Sequence, residues 1–271
     1  MRDSENFRLS RRRMEEAAER VSERDCEILS SLRMCRYLTT DHIRRLHFRE
    51  SVKEASALRA ASRVLAKLKG YGLVATLERQ IGGVRGGSGS YVWTLLDGGL
   101  SVLAMREGLP STTTRKRFFE PSPKFLNHTL AISEVYVKLT EIENIEVIKV
   151  LLEPDCWRGY KINSKAETLK PDMFAVTASG EYEDHWFIEV DLDTESPSRI
   201  ITKCRQYIQY YWSGAEQKHS GVFPFVVWIV PDDKRRDTIQ WHMEAELKNC
   251  PQIFRVISTE AFTALVQNGG A

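Results

Sequence analysis

Apolar residues recur at helical spacing in three consecutive stretches of the first seventy residues. Ile28, Leu29 and Leu32 share one face of a helix predicted over 22–34. Tyr37 and Leu38 lead into Thr39-Thr40-Asp41, a run of N-cap residues that opens a short second helix carrying Ile43, Leu46 and Phe48. Leu58, Ala61, Leu65 and Leu68 form the core stripe of a third helix, which starts near Ser51 or Ser56 and stops at Gly70 and Gly72. The pattern then changes. Residues 73–77 and 91–95 read as two strands joined by a glycine-rich loop, Gly82-Gly83-Val84-Arg85-Gly86-Gly87-Ser88-Gly89. A further helix is predicted over 99–107.

Past residue 123 the pattern is that of a mixed α/β domain. A helix over 125–143 carries His128, Ile132, Val135 and Leu139 on one face. Strands follow at 146–152, 169–177 and 185–192, the last two joined at Ser179-Gly180. A helix over 197–212 opens at Pro197, as proline at a first turn predicts. The apolar, β-branched run 223–230 reads as a buried strand. A helix over 235–248, a short strand over 254–257 and a helix over 260–267 close the chain.

Charge divides the chain where the pattern does. Of its 39 Lys and Arg and 37 Asp and Glu, 23 basic and 15 acidic residues fall within 1–120. The first part is therefore net basic and the second net acidic, which suggests different partners. The expected domains are a basic mobile arm over 1–20 (with Arg8, Arg11, Arg12 and Arg13), a globular domain over 21–109, a linker over 110–123 and a second domain over 124–271. The five cysteines are scattered without a CxxC pair, against both a disulfide framework and a thiolate zinc site. No apolar run reaches the roughly 18 residues that a membrane span needs, and residues 1–13 lack the apolar segment of a signal peptide. A cytoplasmic, nucleoid-associated location is the expectation.

Three helices, a strand, a glycine-rich loop and a returning strand are the order of a winged helix-turn-helix. Its third helix has the size of the DNA major groove, and its hairpin tip can lie along phosphate. Candidate DNA-binding residues are Arg59, Arg63, Lys67 and Lys69 on that helix and Arg85 and Ser88 in the loop. No Gly-Lys-Ser/Thr ends the loop, so a Walker phosphate site is not expected. The histidines show no ligand spacing, and no nucleophile elbow is present. Tyr207, Tyr210, Tyr211 and Trp212 share one helix, where core packing or a partner surface accounts for them better than base stacking.

Carboxylates gather in the second domain. Asp172 follows Pro171 on one strand, and Glu189 and Asp191 share a face of its hairpin partner. Converging acids at a sheet edge could hold Mg2+ or Mn2+ for phosphodiester hydrolysis; ordinary strand carboxylates are the alternative. Glu189 stands in the apolar run Trp186-Phe187-Ile188-Glu189-Val190, which favours a buried acid with a purpose. No organic cofactor is expected.

The second domain resembles the PD-(D/E)XK nuclease superfamily through its α-β-β-β-α-β order, Pro171-Asp172 and Glu189. That resemblance matches Asp172 and Glu189 to the superfamily's metal-binding acids, while the strand spacing adds Asp191 as the third candidate metal ligand. Asp191 stands where the superfamily has its lysine. The resemblance makes Lys203 the candidate substitute and Glu134 the candidate accessory acid, with Gln206 and Tyr207 on the helix that faces such sites. From about 22 to 265 the chain also resembles the replication-relaxation family of plasmid and integrative-element proteins. That likeness is carried by the opening winged helix, Gly86-Gly87-Ser88 with Trp93, His128-Thr129-Leu130, Pro171-Asp172, Phe187-Ile188-Glu189-Val190-Asp191 followed by Thr194-Glu195 and Lys203, and Trp228-Ile229-Val230-Pro231. It implies a part in mobile-element DNA replication, maintenance or transfer. Two functions follow as expectations. One is a non-catalytic accessory or regulatory protein on double-stranded DNA. The other is a metal-dependent endonuclease directed by the winged helix. A relaxase or replication initiator is the expected protein partner, and a homodimer is a further possibility.

Overall fold

The computed structural model describes residues 11–50, 53–77, 91–109, 120–248 and 250–270. The chain divides into two compact units, Met1–Val137 and Lys138–Ala271.

In the first unit, helix α1 (Arg11–Arg20) occupies part of the expected arm. Ala17 is buried, and α1 packs on α5 (Asp97–Arg106), so the segment is a docked amphipathic helix. Helix α2 (Glu23–Cys35) starts where the pattern places it, because Ser22 and Asp25 cap one another reciprocally. Strand β1 (Tyr37–Thr39), not foreseen as a strand, precedes α3 (Thr40–His47). Thr39 caps α3 by accepting from the His42 amide, while the Thr39 amide donates to His42 Nδ1. Helix α4 (Glu54–Gly70) buries Ala57, Ala61, Leu65 and Leu68. Gly72 then takes a positive φ of 70°, which glycine adopts without a Cβ clash, and turns the chain into β2 (Val74–Thr76). Strand β3 (Val92–Leu95) pairs antiparallel with both β2 and β1, giving the order β1-β3-β2. Trp93 Nε1 donates to Thr40 Oγ1 at 2.9 Å and locks this sheet to the start of α3.

The expected linker over 110–123 lies largely outside the described residues, and the division between units falls further on, inside α6 (Pro123–Glu141). The reason is packing. Leu126 and Leu130 of α6 join Leu77 and Val92 in a cluster of the first unit. Ser133 Oγ donates to the Tyr37 carbonyl at 3.0 Å.

The second unit is built on a five-stranded sheet of order β10-β9-β8-β7-β4. Strands β4 (Glu146–Leu152), β7 (Met173–Ser179) and β8 (Tyr182–Val190) run antiparallel. Strands β9 (Phe225–Val230) and β10 (Phe254–Ser258) continue from β8 in parallel. Helix α7 (Pro197–Ser213), the short α8 (Ala215–Ser220) and α9 (Asp233–Glu246) connect the parallel strands, and α10 (Phe262–Gln267) ends the chain. Phe187, Tyr207, Val226 and Trp228 lie in one buried core with residues of α7 and α9. The strand expected over 169–177 is interrupted at Pro171-Asp172. Its first residue, Leu169, belongs to a separate hairpin, β5 (Arg158–Ile162) and β6 (Lys165–Leu169), whose turn places Asn163 and Ser164 at positive φ.

His47 is partly buried in the first unit, with Nε2 3.0 Å from Ser31 Oγ. Burial, followed by the nearby Arg24 and Arg49, lowers its pKa to about 4. A histidine depressed in the folded state contributes stability above its unfolded pKa near 6.5, and that stability is lost as pH falls toward 4. The first unit is therefore expected to lose about 2–3 kcal/mol between pH 6.5 and 4. His47→Gln should flatten that slope, read by amide hydrogen exchange in α2 and α3.

Candidate functional site

Two surfaces carry the chemistry that the sequence singled out. The first is the outward side of α4. Ala55, Leu58, Arg59, Ser62, Arg63, Ala66 and Lys69 are exposed and recur at helical spacing, so they form one continuous strip. Small residues alternate with arginines along it. The one acid at its start, Glu54, meets Arg44 Nη2 at 3.1 Å.

Of the four basic α4 residues expected to meet DNA, Arg59 and Arg63 lie at the middle of this strip. Lys67 does not stand free. Its ammonium reaches Asp25 Oδ2 at 2.5 Å, and that carboxylate is almost wholly buried while capping α2. Lys67 thus ties α4 to the first turn of α2. Lys69, at the end of the strip, donates to Thr76 Oγ1 at 2.8 Å, at the junction of α4 and β2. Arg85 and Ser88 lie outside the described residues.

The second surface is the acid cluster. Met173 of β7 is paired with Ile188 of β8, and the same register carried one residue further sets Asp172 opposite Glu189. Directly opposed residues share a face of the sheet, so the two acids point the same way. Both are buried. Asp172 Oδ2 accepts the Val190 amide at 2.8 Å. Glu189 is held from α7: Lys203 Nζ bonds Oε2, and Tyr207 Oη donates to Oε1 at 2.5 Å. Lys203 and Tyr207 are four apart and therefore on one face of that helix. Burial pushes the Glu189 carboxyl up to about 8, against the opposing pull of the Lys203 charge. Burial would lower the Lys203 pKa, but the charges of Glu189 and Asp172 outweigh it and leave the ammonium raised. Tyr207 is driven upward by burial and by Glu189, so it stays a neutral donor.

Asp191 takes a separate place. Its Oδ2 accepts from Arg235 Nε at 2.7 Å, and its Oδ1 accepts the Asp193 amide at 3.1 Å. Arg235 also meets Asp193 Oδ1 at 3.0 Å and donates to the Glu195 carbonyl at 2.6 Å. It therefore clamps the loop that leaves β8. Sequence reasoning missed Arg235, which is 44 residues from Asp191, on α9. Glu134 belongs to the first unit, where Arg45 Nη1 approaches at 2.6 Å and His42 Nε2 at 3.1 Å. Burial raises the Glu134 pKa, but hydrogen bonds from His42 and Arg45 hold it down at about 2. Gln206 is exposed and takes no part in the cluster.

The acid set does not fit a divalent cation as arranged. Both Glu189 oxygens are engaged by Lys203 and Tyr207, and both Asp191 oxygens by Arg235 and a backbone amide. Among the described residues, no group of three or more His, Cys, Asp or Glu is placed to hold a metal ion. The cluster can instead hold a proton near neutrality and fix α7 against β8.

Removing one partner of a buried pair leaves the other uncompensated, whereas removing both is far milder. Lys203→Met should lower the stability of the second unit by about 3 kcal/mol, and Lys203→Met with Glu189→Gln should recover most of it. A double-mutant cycle read by hydrogen exchange in β8 and α7 measures the coupling.

The replication-relaxation family model matches residues 29–226, from within α2 into β9 and well over half of the chain. No characterised protein and no solved structure matches significantly. Among the described residues, no helix is long and apolar enough to cross a membrane. The chain belongs to the replication-relaxation family.

Proposed function

We propose that this protein is a DNA-binding accessory or regulatory protein in plasmid or mobile-element replication, maintenance or transfer, gripping duplex DNA through a winged helix-turn-helix. Family membership supports the replication and mobile-element setting. The observation that carries the DNA reading is the exposed strip of α4. A 17-residue helix is about 25 Å long and 10–12 Å across, the girth of the major groove. Arg59 and Arg63 stand on this strip among Ala55, Leu58, Ser62 and Ala66, so no acid lies between the two charges. The order α2, β1, α3, α4, β2, β3 with sheet order β1-β3-β2 also agrees with a helix-turn-helix followed by a wing.

The test is fluorescence anisotropy of the full chain on duplex DNA across a salt series. Binding should weaken with salt, and Arg59→Ala and Arg63→Ala should each reduce the log–log slope by about one. Absence of duplex binding at low salt would sink the reading.

A second reading, a metal-dependent endonuclease, is favoured by one observation: Asp172 and Glu189 share a face with Lys203 beside them. It requires Glu189 to be released by Lys203 and Tyr207. Plasmid nicking with Mg2+ or Mn2+ distinguishes the two. We expect no nicking by the wild type. Metal-dependent nicking lost in both Asp172→Ala and Glu189→Ala would establish the nuclease.

A further inference from the structure

The hairpin β5–β6 stands apart from the main sheet as a two-stranded ribbon with two unlike faces. One face is rooted. Arg158 Nε meets the buried Glu216 at 3.1 Å, and Arg158 Nη1 donates to the Cys156 carbonyl at 2.9 Å. Its guanidinium lies 4.6 Å from the centre of the Phe174 ring. Tyr160 packs against Tyr210, whose hydroxyl donates to Glu216 at 2.5 Å. The root is therefore a satisfied buried network, and the ribbon is held in one orientation.

The other face is presented to solvent. Lys161 is paired with Ala166 and Gly159 with Thr168, and the same register sets Trp157 opposite Lys170. All six are exposed. The Lys170 ammonium lies 4.3 Å from the Trp157 ring centre. A Cβ built on Gly159 would meet nothing within 4 Å. This face thus has a small, open centre between two lysines and an indole, and every charge on it is positive. The one acid within the two strands, Glu167, lies on the opposite face with Lys165 Nζ at 3.0 Å. Asp155 sits in the turn before Trp157. A basic face on an otherwise acidic unit suits an anionic partner. A two-stranded ribbon has the dimensions that a DNA groove admits.

We propose that the outward face of this ribbon is a second duplex-DNA contact, with Lys161 and Lys170 on phosphates and Trp157 against the sugar-phosphate edge. The proposal rests on the reading of the chain as DNA-binding but uses none of the α4 residues. Lys170 stands two residues before Asp172, and Cys156 Sγ donates to the Pro171 carbonyl at 3.0 Å. Duplex held on the ribbon is thereby tied, within the second unit, to the strand that carries the acid cluster.

The full chain tests this by anisotropy on a 40-base-pair duplex across a salt series. Lys161→Gln with Lys170→Gln should reduce the log–log slope by about two, since each lost phosphate contact removes roughly 0.9. Lys165→Gln, the same charge change on the opposite face, should leave the slope unchanged. A double variant with the wild-type slope overturns the proposal, and so does an equal drop for Lys165→Gln. If the ribbon variants lower the slope while Arg59→Ala and Arg63→Ala do not, the ribbon stands and the α4 reading falls. No duplex binding by the wild type ends both.

Discussion

The buried carboxylate of Glu189 must be satisfied, and much of the second unit is arranged around that requirement. An acid in an apolar strand is costly unless it is paired or holds a proton. Here Lys203 and Tyr207, one helical turn apart on α7, close on its two oxygens. That fixes the rotation of α7 about its axis, because only one face of the helix can present both groups. The buried side of α7 then follows, with Ile200, Cys204 and Tyr210 also buried. Asp172 adds a second charge from the neighbouring strand, which strengthens the hold on Lys203 while pressing Glu189 toward its protonated form.

The same residues explain how one arrangement serves two chemical readings. A lysine beside two acids on a sheet is what phosphodiester chemistry uses, and it is also a sound way to lock a helix onto a strand. Occupancy separates them. The acids commit their oxygens to internal donors, and Asp191 is turned over to Arg235, which steadies the exit loop of β8. The first unit presents its arginines outward on α4 with few internal partners. The proposed DNA contact therefore rests on α4, where Arg59 reaches no further than Ser56 Oγ of its own helix at 3.4 Å.

Much of this was legible in the chain. The apolar stripes of α2 and α4, the cap at Thr39, and the Glu189–Asp191 motif each carry a local signal, and each element lies close to where that signal places it. The parts that were not legible depend on distant partners. Lys67 has the spacing of a groove-facing residue, but it belongs to Asp25, 42 residues earlier. Arg235 gives no local hint of its bond to Asp191. The β5–β6 hairpin is short and polar, so periodicity passes it over; its one local signal was Asn163-Ser164, residues that tolerate a tight turn. The unit boundary moved into α6 because a helix that opens one sequence segment can bury its apolar face against another.

Asp25 caps α2 from its third position, answers Ser22 across the capping box and pairs with Lys67 from α4. Asparagine could keep the cap but not the charge, and glutamate could keep the charge but would place it one methylene further out. Each duty alone tolerates a neighbour in sequence space; the two together leave aspartate. A change at position 25 is thus felt at position 67 as well, so the start of one helix and the end of another answer to a single side chain.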